Sequence, residues 1–340
     1  MSESFLDLVD LACERLGGCV VAANDEFFAA KENLIKRGAP VWVGDRYTER
    51  GKWMDGWETR RRRDVTDDTH DWCIIRLGAP GSLAGVNVDT THFKGNFPAA
   101  CAIEVTEVAG LPGIDMLLNA VWREVLPRSP LRGDTHNLLA IEGAPEATHV
   151  RLRIYPDGGV ARIRVHGRVA ADWDALRRRG DVDLAAAEHG GFVVACSDMF
   201  FGSRHNLIMP GDASHMGDGW ETRRRRGPGH DWSIVRLGAA GAIRRIEIDT
   251  RHFKGNAPGA CSLDACAVDD ESLVLRSIEE GGPWQELLPR TPLQPHARHS
   301  FENDVRALGD VTHVRFNIYP DGGVGRLRLY GRPAEAGWVT

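Results

Sequence analysis

Apolar and charged residues alternate along several short stretches of this chain. Val150, Leu152 and Ile154 are separated by Arg151 and Arg153, and Ile163 and Val165 are flanked by Arg162, Arg164 and His166. A period of two marks strands with one buried face. Val86 and Val88 ahead of Asp89 repeat the pattern, as do Ile103 and Val105, and Cys73-Ile-Ile-Arg-Leu77 is an apolar run suited to a buried strand. Pro156-Asp-Gly-Gly159 falls between two alternating runs and predicts a hairpin turn, with glycine supplying the positive φ. Helical periodicity is confined to the neighbourhood of residues 4–16, 26–37, 113–122 and 172–179. Many short strands punctuated by Gly, Pro and Asp predict an all-β antiparallel sandwich with a few short helices.

The chain also contains itself twice. Val20-Val-Ala-Ala-Asn-Asp-Glu-Phe-Phe28 returns as Val193-Val-Ala-Cys-Ser-Asp-Met-Phe-Phe201, and Asp55-Gly-Trp-Glu-Thr-Arg-Arg-Arg-Arg63 returns intact as Asp218 to Arg226. His70-Asp-Trp72 returns at 230–232, Asp89-Thr-Thr-His-Phe-Lys-Gly-Asn96 at 249–256, Leu126-Pro-Arg-Ser-Pro130 at 288–292, and Tyr155-Pro-Asp-Gly-Gly159 at 319–323. The order is kept, so this is a duplicated domain rather than a short solenoid repeat. The reading is one sandwich over 1–170, a charged, Ala-rich linker over 171–188 and a second sandwich over 189–340. The repeated polar, Gly-containing motifs read as loops at strand ends, where sandwiches carry function.

Composition narrows the classes. The 340 residues suit two domains of roughly 150 residues each, and 42% hydrophobic with 26% charged is ordinary for a globular protein. A net charge of −6 is a poor match for nucleic acid or anionic membrane. No apolar run approaches the ~18 residues of a membrane span. Met1 to Asp10 carries acids and no basic segment, so no secretory signal is expected. Seven cysteines, without a CxxC, are expected as reduced thiols in a cytoplasmic protein.

Three repeated motifs hold candidate chemistry. In the first, Asp55, Glu58 and four arginines crowd nine residues; Arg60 and Arg62 are the alternate pair expected to face a pocket, because the planar guanidinium binds carboxylates bidentately. A solvated charged strand or a nucleic-acid patch are the plainer alternatives. In the second, Asp71 follows His70. In the third, His92, Lys94 and Asn96 would share one face of an extended segment, with Phe93 turned to the core. The second copy supplies Asp218, Glu221, Arg223, Arg225, Asp231, His252, Lys254 and Asn256. No HExxH or Cys-His spacing suggests zinc. No cofactor is required by the sequence; a hard divalent metal could bind a carboxylate-rich loop, unsupported by any ligand motif.

Trp53 to Arg63, His70-Asp-Trp72, Asp89 to Asn96, Leu126 to Pro130 and their second copies resemble the allantoicase family, over nearly the whole chain from Val20 to Arg332. The resemblance implies two tandem jelly-roll β-sandwich domains, similar to galactose-binding-like modules. It also implies hydrolysis of allantoate to ureidoglycolate and urea in allantoin (purine) degradation. The residue chemistry makes Glu58 and His92, with Glu221 and His252, the base and acid candidates. Arg60 or Arg62 with Lys94 is the expected carboxylate grip, equivalent to Arg223 or Arg225 with Lys254. Asp55, Asp71 and Asn96, with Asp218, Asp231 and Asn256, are expected to orient the urea groups or these side chains. Direct displacement by water and expulsion of urea through an acylimine both fit. The expected partners are the small-molecule substrate allantoate and further copies of the chain as a homo-oligomer, with no nucleic acid and no membrane. The competing class is a non-catalytic ligand- or carbohydrate-binding jelly roll; an interaction scaffold is a third.

Overall fold

The computed structural model describes residues 4–335 and divides into two compact units, Met1–Ala170 and Ala171–Thr340. The first unit lays down β1 (Val9–Asp10), β2 (Cys19–Ala23), the small hairpin of β3 (Tyr47–Thr48) and β4 (Gly51–Lys52), β5 (Trp57–Glu58), β6 (Asp71–Asp89) and β7 (Ala100–Thr106). It continues with α1 (Ile114–Leu118), β8 (Arg123–Pro130), β9 (His136–Ala140), β10 (Glu146–Tyr155), β11 (Gly159–Val160) and β12 (Arg162–Val169). The second unit has α2 (Trp173–Arg178), β13 (Val182–Asp183), β14 (Phe192–Cys196), β15 (Trp220–Glu221), β16 (Asp231–Asp249) and β17 (Ala260–Cys266), then α3 (Glu271–Glu280) and β18 (Gln285–Pro292). It ends with β19 (Arg298–Phe301), β20 (Val311–Tyr319), β21 (Gly323–Val324) and β22 (Arg326–Pro333).

The 19-residue strand β6 organises the first sandwich. Its first half pairs antiparallel with β2 and β10, and β10 carries β7 and then β8. Its second half pairs with β9 and β12, and β12 carries β1. One strand thus serves both ladders, and the core lies between them: Cys73 and Ile75 from the first half share one apolar cluster with Val86 and Val88 from the second. Val150, Leu152, Ile154, Ile163 and Val165 join the same cluster, fully buried as their alternation predicts. Burying each such side chain is worth about 1.5–3 kcal/mol. The inward residues of β6 change parity between Leu83 and Val86. The pairing register with β12 jumps there, leaving Ala84 unopposed, and such a bulge bends a strand and re-aims its faces. β16 plays the same part in the second unit, with its irregularity at Ile243/Arg245. The architecture is the expected pair of tandem jelly-roll sandwiches, mostly β with short helices.

Four sequence expectations change. Pro156–Gly159 is not a hairpin turn, because β10 and β12 do not pair; β6 lies between them. The chain there crosses from one ladder to the other through β11, which pairs with β5. Glycine is needed for close approach: a Cβ on Gly158 would lie 2.7 Å from the Asn96 carbonyl, and one on Gly159 would enter the Phe93 ring. Second, the helical segments expected at 4–16 and 26–37 are only 3-10 turns, Phe5–Asp7, Glu14–Leu16 and Lys31–Ile35, with β1 between the first two. The longest helix, α3, starts at its N-cap Asp270, whose side chain accepts from the Ser272 N–H, and it was not anticipated. Third, residues 171–188 do not behave as a linker: they carry α2 and β13, and β13 pairs with β22. Fourth, the repeat therefore begins earlier than Val20. Val9-Asp-Leu-Ala12 matches Val182-Asp-Leu-Ala185, and Asp10 and Asp183 each accept a backbone N–H from the last long strand of their unit, at Val165 and Leu329. Among the described residues no helix is long and apolar enough to cross a membrane.

Candidate active site

Glu58 is placed by the buried residue beside it. Trp57 has no exposed surface, and its indole N–H donates to the Asp25 carbonyl at 2.8 Å. Because neighbours on a strand face opposite ways, fixing Trp57 in the core turns Glu58 to the rim. The Glu58 backbone is held on both sides, by the Ala29 bridge and by Gly159 of β11. The amide of Asn96 donates to Glu58 Oε1 at 2.7 Å. Burial raises the Glu58 carboxyl above the ordinary value, and the Asn96 hydrogen bond offsets only part of that.

The segment carrying His92, Lys94 and Asn96 is a tight turn rather than an extended strand. His92 has φ 72°, and its N–H donates to Asp134 Oδ1 at 2.8 Å. Phe93 is fully buried, as expected, and its N–H closes on the Thr90 carbonyl. The three polar side chains still converge, because the turn wraps them around one opening. They line a cavity of about 280 Å³ with Phe28, Trp42, Lys52, Met54 and Glu58. His92 Nε2 lies 3.2 Å from the Pro40 carbonyl. A carbonyl can only accept, so Nε2 carries the proton and Nδ1 is the nitrogen left for chemistry. A larger cavity of about 880 Å³ adjoins it, sharing Phe28, Glu58, Gly95 and Asn96 and adding Arg61, Arg62, Arg63 and Asp157 among its walls.

The arginines divide differently from the expected alternation. Arg60 is tied to Asp25, Nε to Oδ2 at 2.6 Å. Hydrogen bonds from Arg60 and the Phe27 N–H outweigh burial and hold the Asp25 carboxyl below its usual range. Arg62 lines the larger cavity but is bound by Asp71, with Nε to Oδ1 at 3.0 Å and a closer contact from Nη2. Arg61 and Arg63 line the cavity and have no ion pair among the described residues. The strand β5 stops at Glu58, so period two does not govern the residues after it; Arg61 and Arg63 were missed for that reason. Trp42 and Lys52 carry no repeat signal, because they fall in the stretch between Gly38 and Asp55 that is longer than its second-copy counterpart.

Four carboxylates expected near the substrate lie elsewhere. Asp55 is buried against Arg162, whose Nη2 meets Oδ2 at 2.7 Å while Nη1 donates to the Asp55 carbonyl and Nε to the Gly38 carbonyl. Burial opposes ionisation there, but the Arg162 hydrogen bond and the Val41 N–H outweigh it and depress the pKa. Asp55 is therefore part of the scaffold, and so is Asp218, which accepts from the Ser214 N–H and hydroxyl and lies 3.6 Å from Arg326. Asp71 has no exposed surface; it receives Arg62 and the Asn24 amide at 2.7 Å and acts on the rim only through them. Asp231 likewise holds Arg225 and the Ser197 hydroxyl. The His70 ring lies tilted against Tyr155, centroids 5.5 Å apart, and lines neither cavity.

In the second unit Asn256 donates to Glu221 Oε1 at 2.6 Å, and His252, φ 74°, points Nε2 at the Ala213 carbonyl at 2.9 Å. Arg223 Nε lies 3.7 Å from Asp198. Among the described residues no group of three or more His, Cys, Asp or Glu is arranged to hold a metal ion.

Fold and rim together define a duplicated β-sandwich protein that sets a half-buried carboxyl, an imidazole and a row of cations on the walls of two adjoining cavities. The family profile described as the allantoicase repeat matches residues 9–170 and 182–334. A probable allantoicase of Pseudomonas paraeruginosa is 49% identical over 329 residues, spanning 97% of each chain, and probable allantoicase 1 of Burkholderia mallei is 47% identical, spanning 95% of this chain and 94% of its own. The crystal structure of allantoicase from Saccharomyces cerevisiae superposes with a TM-score of 0.79 at 34% identity, covering 95% of this chain and 92% of that one. The chain belongs to the allantoicase family.

Proposed function

We propose that this chain is an allantoate amidinohydrolase, the activity named in its relatives, and that the paired cavities of the first unit are its reaction centre. Glu58 carries the reading: it stands on the shared wall of both cavities, is raised by burial and is fixed by Asn96. A carboxylate in that setting is a stronger base than an exposed one. The substrate carboxylate is gripped by Arg61 and Arg63, whose guanidinium groups suit a carboxylate. One ureido group enters the smaller cavity.

Water attacks the central carbon and gives its proton to Glu58. The C–O bond forms as the C–N bond to the ureido group breaks. His92 enters the step doubly protonated and delivers its Nδ1 proton to the departing nitrogen, keeping the Nε2 proton on the Pro40 carbonyl, so that urea leaves as a neutral molecule and ureidoglycolate remains. Solvent then carries the proton from Glu58 back to His92. Lys94, 3.7 Å from Asp134, places a positive charge beside the same opening. The test is urea release from allantoate, with and without chelator, by the full chain and by Glu58→Gln. Loss of a positioned acid or base costs about 10²- to 10⁴-fold. Full turnover by Glu58→Gln would eliminate the assignment.

A further inference from the structure

The two units differ most where the cavities open. From Gly38 to Asp55 the first copy runs 17 positions, whereas Gly211 to Asp218 in the second runs 7. The ends correspond in space, because Arg162 Nε donates to the Gly38 carbonyl and Arg326 Nε to the Gly211 carbonyl, each at 3.0 Å. The extra stretch brings Trp42 and the β3–β4 hairpin to the rim. Lys52 Nζ sits 3.8 Å over the Trp42 ring, and that ring lies 5.7 Å from the His92 ring. In the second unit Met216 Sδ lies 3.9 Å from the Asn256 amide, and Phe201 is 60% exposed where its counterpart Phe28 is half-buried. His296 replaces Asp134, so the N–H of His252 is received by His296 Nδ1, and Lys254 faces no carboxylate at that position.

We propose that the chain has a single reaction centre, in the first unit, and that Lys52 is the residue that donates to the carbonyl oxygen of the departing ureido group. The proposal rests on the roles given above to Glu58 and His92. The aromatic face holds the ammonium in place through its quadrupole and strips water from one side, leaving donors for a ligand in the cavity that Lys52 lines. Negative charge grows on the ureido group as its C–N bond breaks. A donor on its oxygen therefore binds more tightly in the transition state than in the ground state and raises kcat. In the aligned place the second copy has His215, which is exposed.

The test uses the full chain in three variants. Glu58→Gln alone is expected to lose at least about 100-fold in kcat, and equilibrium titration of that variant with allantoate is expected to show one site per chain. Lys52→Met is expected to lose about 10- to 100-fold, mainly in kcat, with Lys52→Arg recovering part of it. If Glu58→Gln keeps about half of the wild-type kcat, or binds two allantoates equally well, the second unit is a working centre and the single-site proposal fails while the role of Glu58 stands. Full activity in Glu58→Gln overturns both. An unchanged kcat in Lys52→Met removes Lys52 from the reaction.

Discussion

Arg162 reaches from β12 to Asp55 and the Gly38 carbonyl, and Arg326 makes the same reach from β22 to the Asp218 and Gly211 carbonyls. Trp57 and Trp220 are equally buried, each donating its indole N–H to the carbonyl of an equivalent aspartate, Asp25 or Asp198. Arg62–Asp71 and Arg225–Asp231 match as well. The rim diverges: ten extra residues, Asp134 against His296, Asn24 against Ser197. Both copies kept what each sandwich needs to close, because an orphaned buried charge is costly wherever it occurs. The rim residues answer to a ligand instead, and the first copy wraps Trp42 and Lys52 around the cavity that Glu58, His92 and Asn96 line. Repetition of a motif in this protein therefore reports folding as much as chemistry, which explains why Asp55 and Asp71 looked catalytic.

The comparison can be broken at several points. The largest effect should follow Asp55→Asn, which strands Arg162 in the interior; removing one member of a buried pair costs about 3–5 kcal/mol, read by denaturant unfolding. Asp218→Asn should cost less, since its pair with Arg326 is longer at 3.6 Å. Equal stability of Asp55→Asn and the parent, with activity lost, would restore Asp55 to the chemistry. The Asp55 contribution is present above its unfolded pKa of about 3.9 and is lost as pH falls through the depressed folded value.

Shortening the Gly38–Asp55 segment to the length of its second-copy counterpart should leave unfolding cooperative, because the second unit folds without those residues. It should reduce turnover about 100-fold or more, with Lys52 and Trp42 gone. Arg61→Ala should raise KM for allantoate about tenfold or more, the scale of a charged hydrogen bond. The pH dependence of kcat/KM gives a finer measure. Activity needs ionised Glu58, so it should fall as pH drops through a pKa raised above the ordinary carboxylate value, at higher pH than an exposed glutamate would give. Asn96→Ala should move that limb further up, since the amide is what lowers it. The smallest effect belongs to Arg60→Ala: its pair with Asp25 is 65% exposed on the arginine side, and exposed pairs contribute at most about 1 kcal/mol.

Much of this was legible in the sequence. Period-two alternation located β10 and β12, since a strand with one wet face must alternate. The repeat announced two equivalent sandwiches. Convergence of Glu58, His92, Lys94 and Asn96 was anticipated as well, although the extended geometry expected for 92–96 was wrong: the left-handed His92 turn is held by Asp134, 42 positions away. The misplaced hairpin at Pro156–Gly159 has a similar cause. Nothing local to that turn says that β6 separates its two flanking strands.

The sequence by itself determined what depends on neighbours in the chain: which residues alternate into strands, where turns interrupt them, how often the unit occurs, and which charged groups cluster. The tertiary structure alone decided which of those charges are spent on one another. Arg60 is matched to Asp25, Arg62 to Asp71 and Arg162 to Asp55 across 35, 9 and 107 positions, while Arg61, Arg63 and Lys52 are left facing a cavity. The energy of an ion pair depends on distance and desolvation in space, and a one-dimensional pattern carries neither.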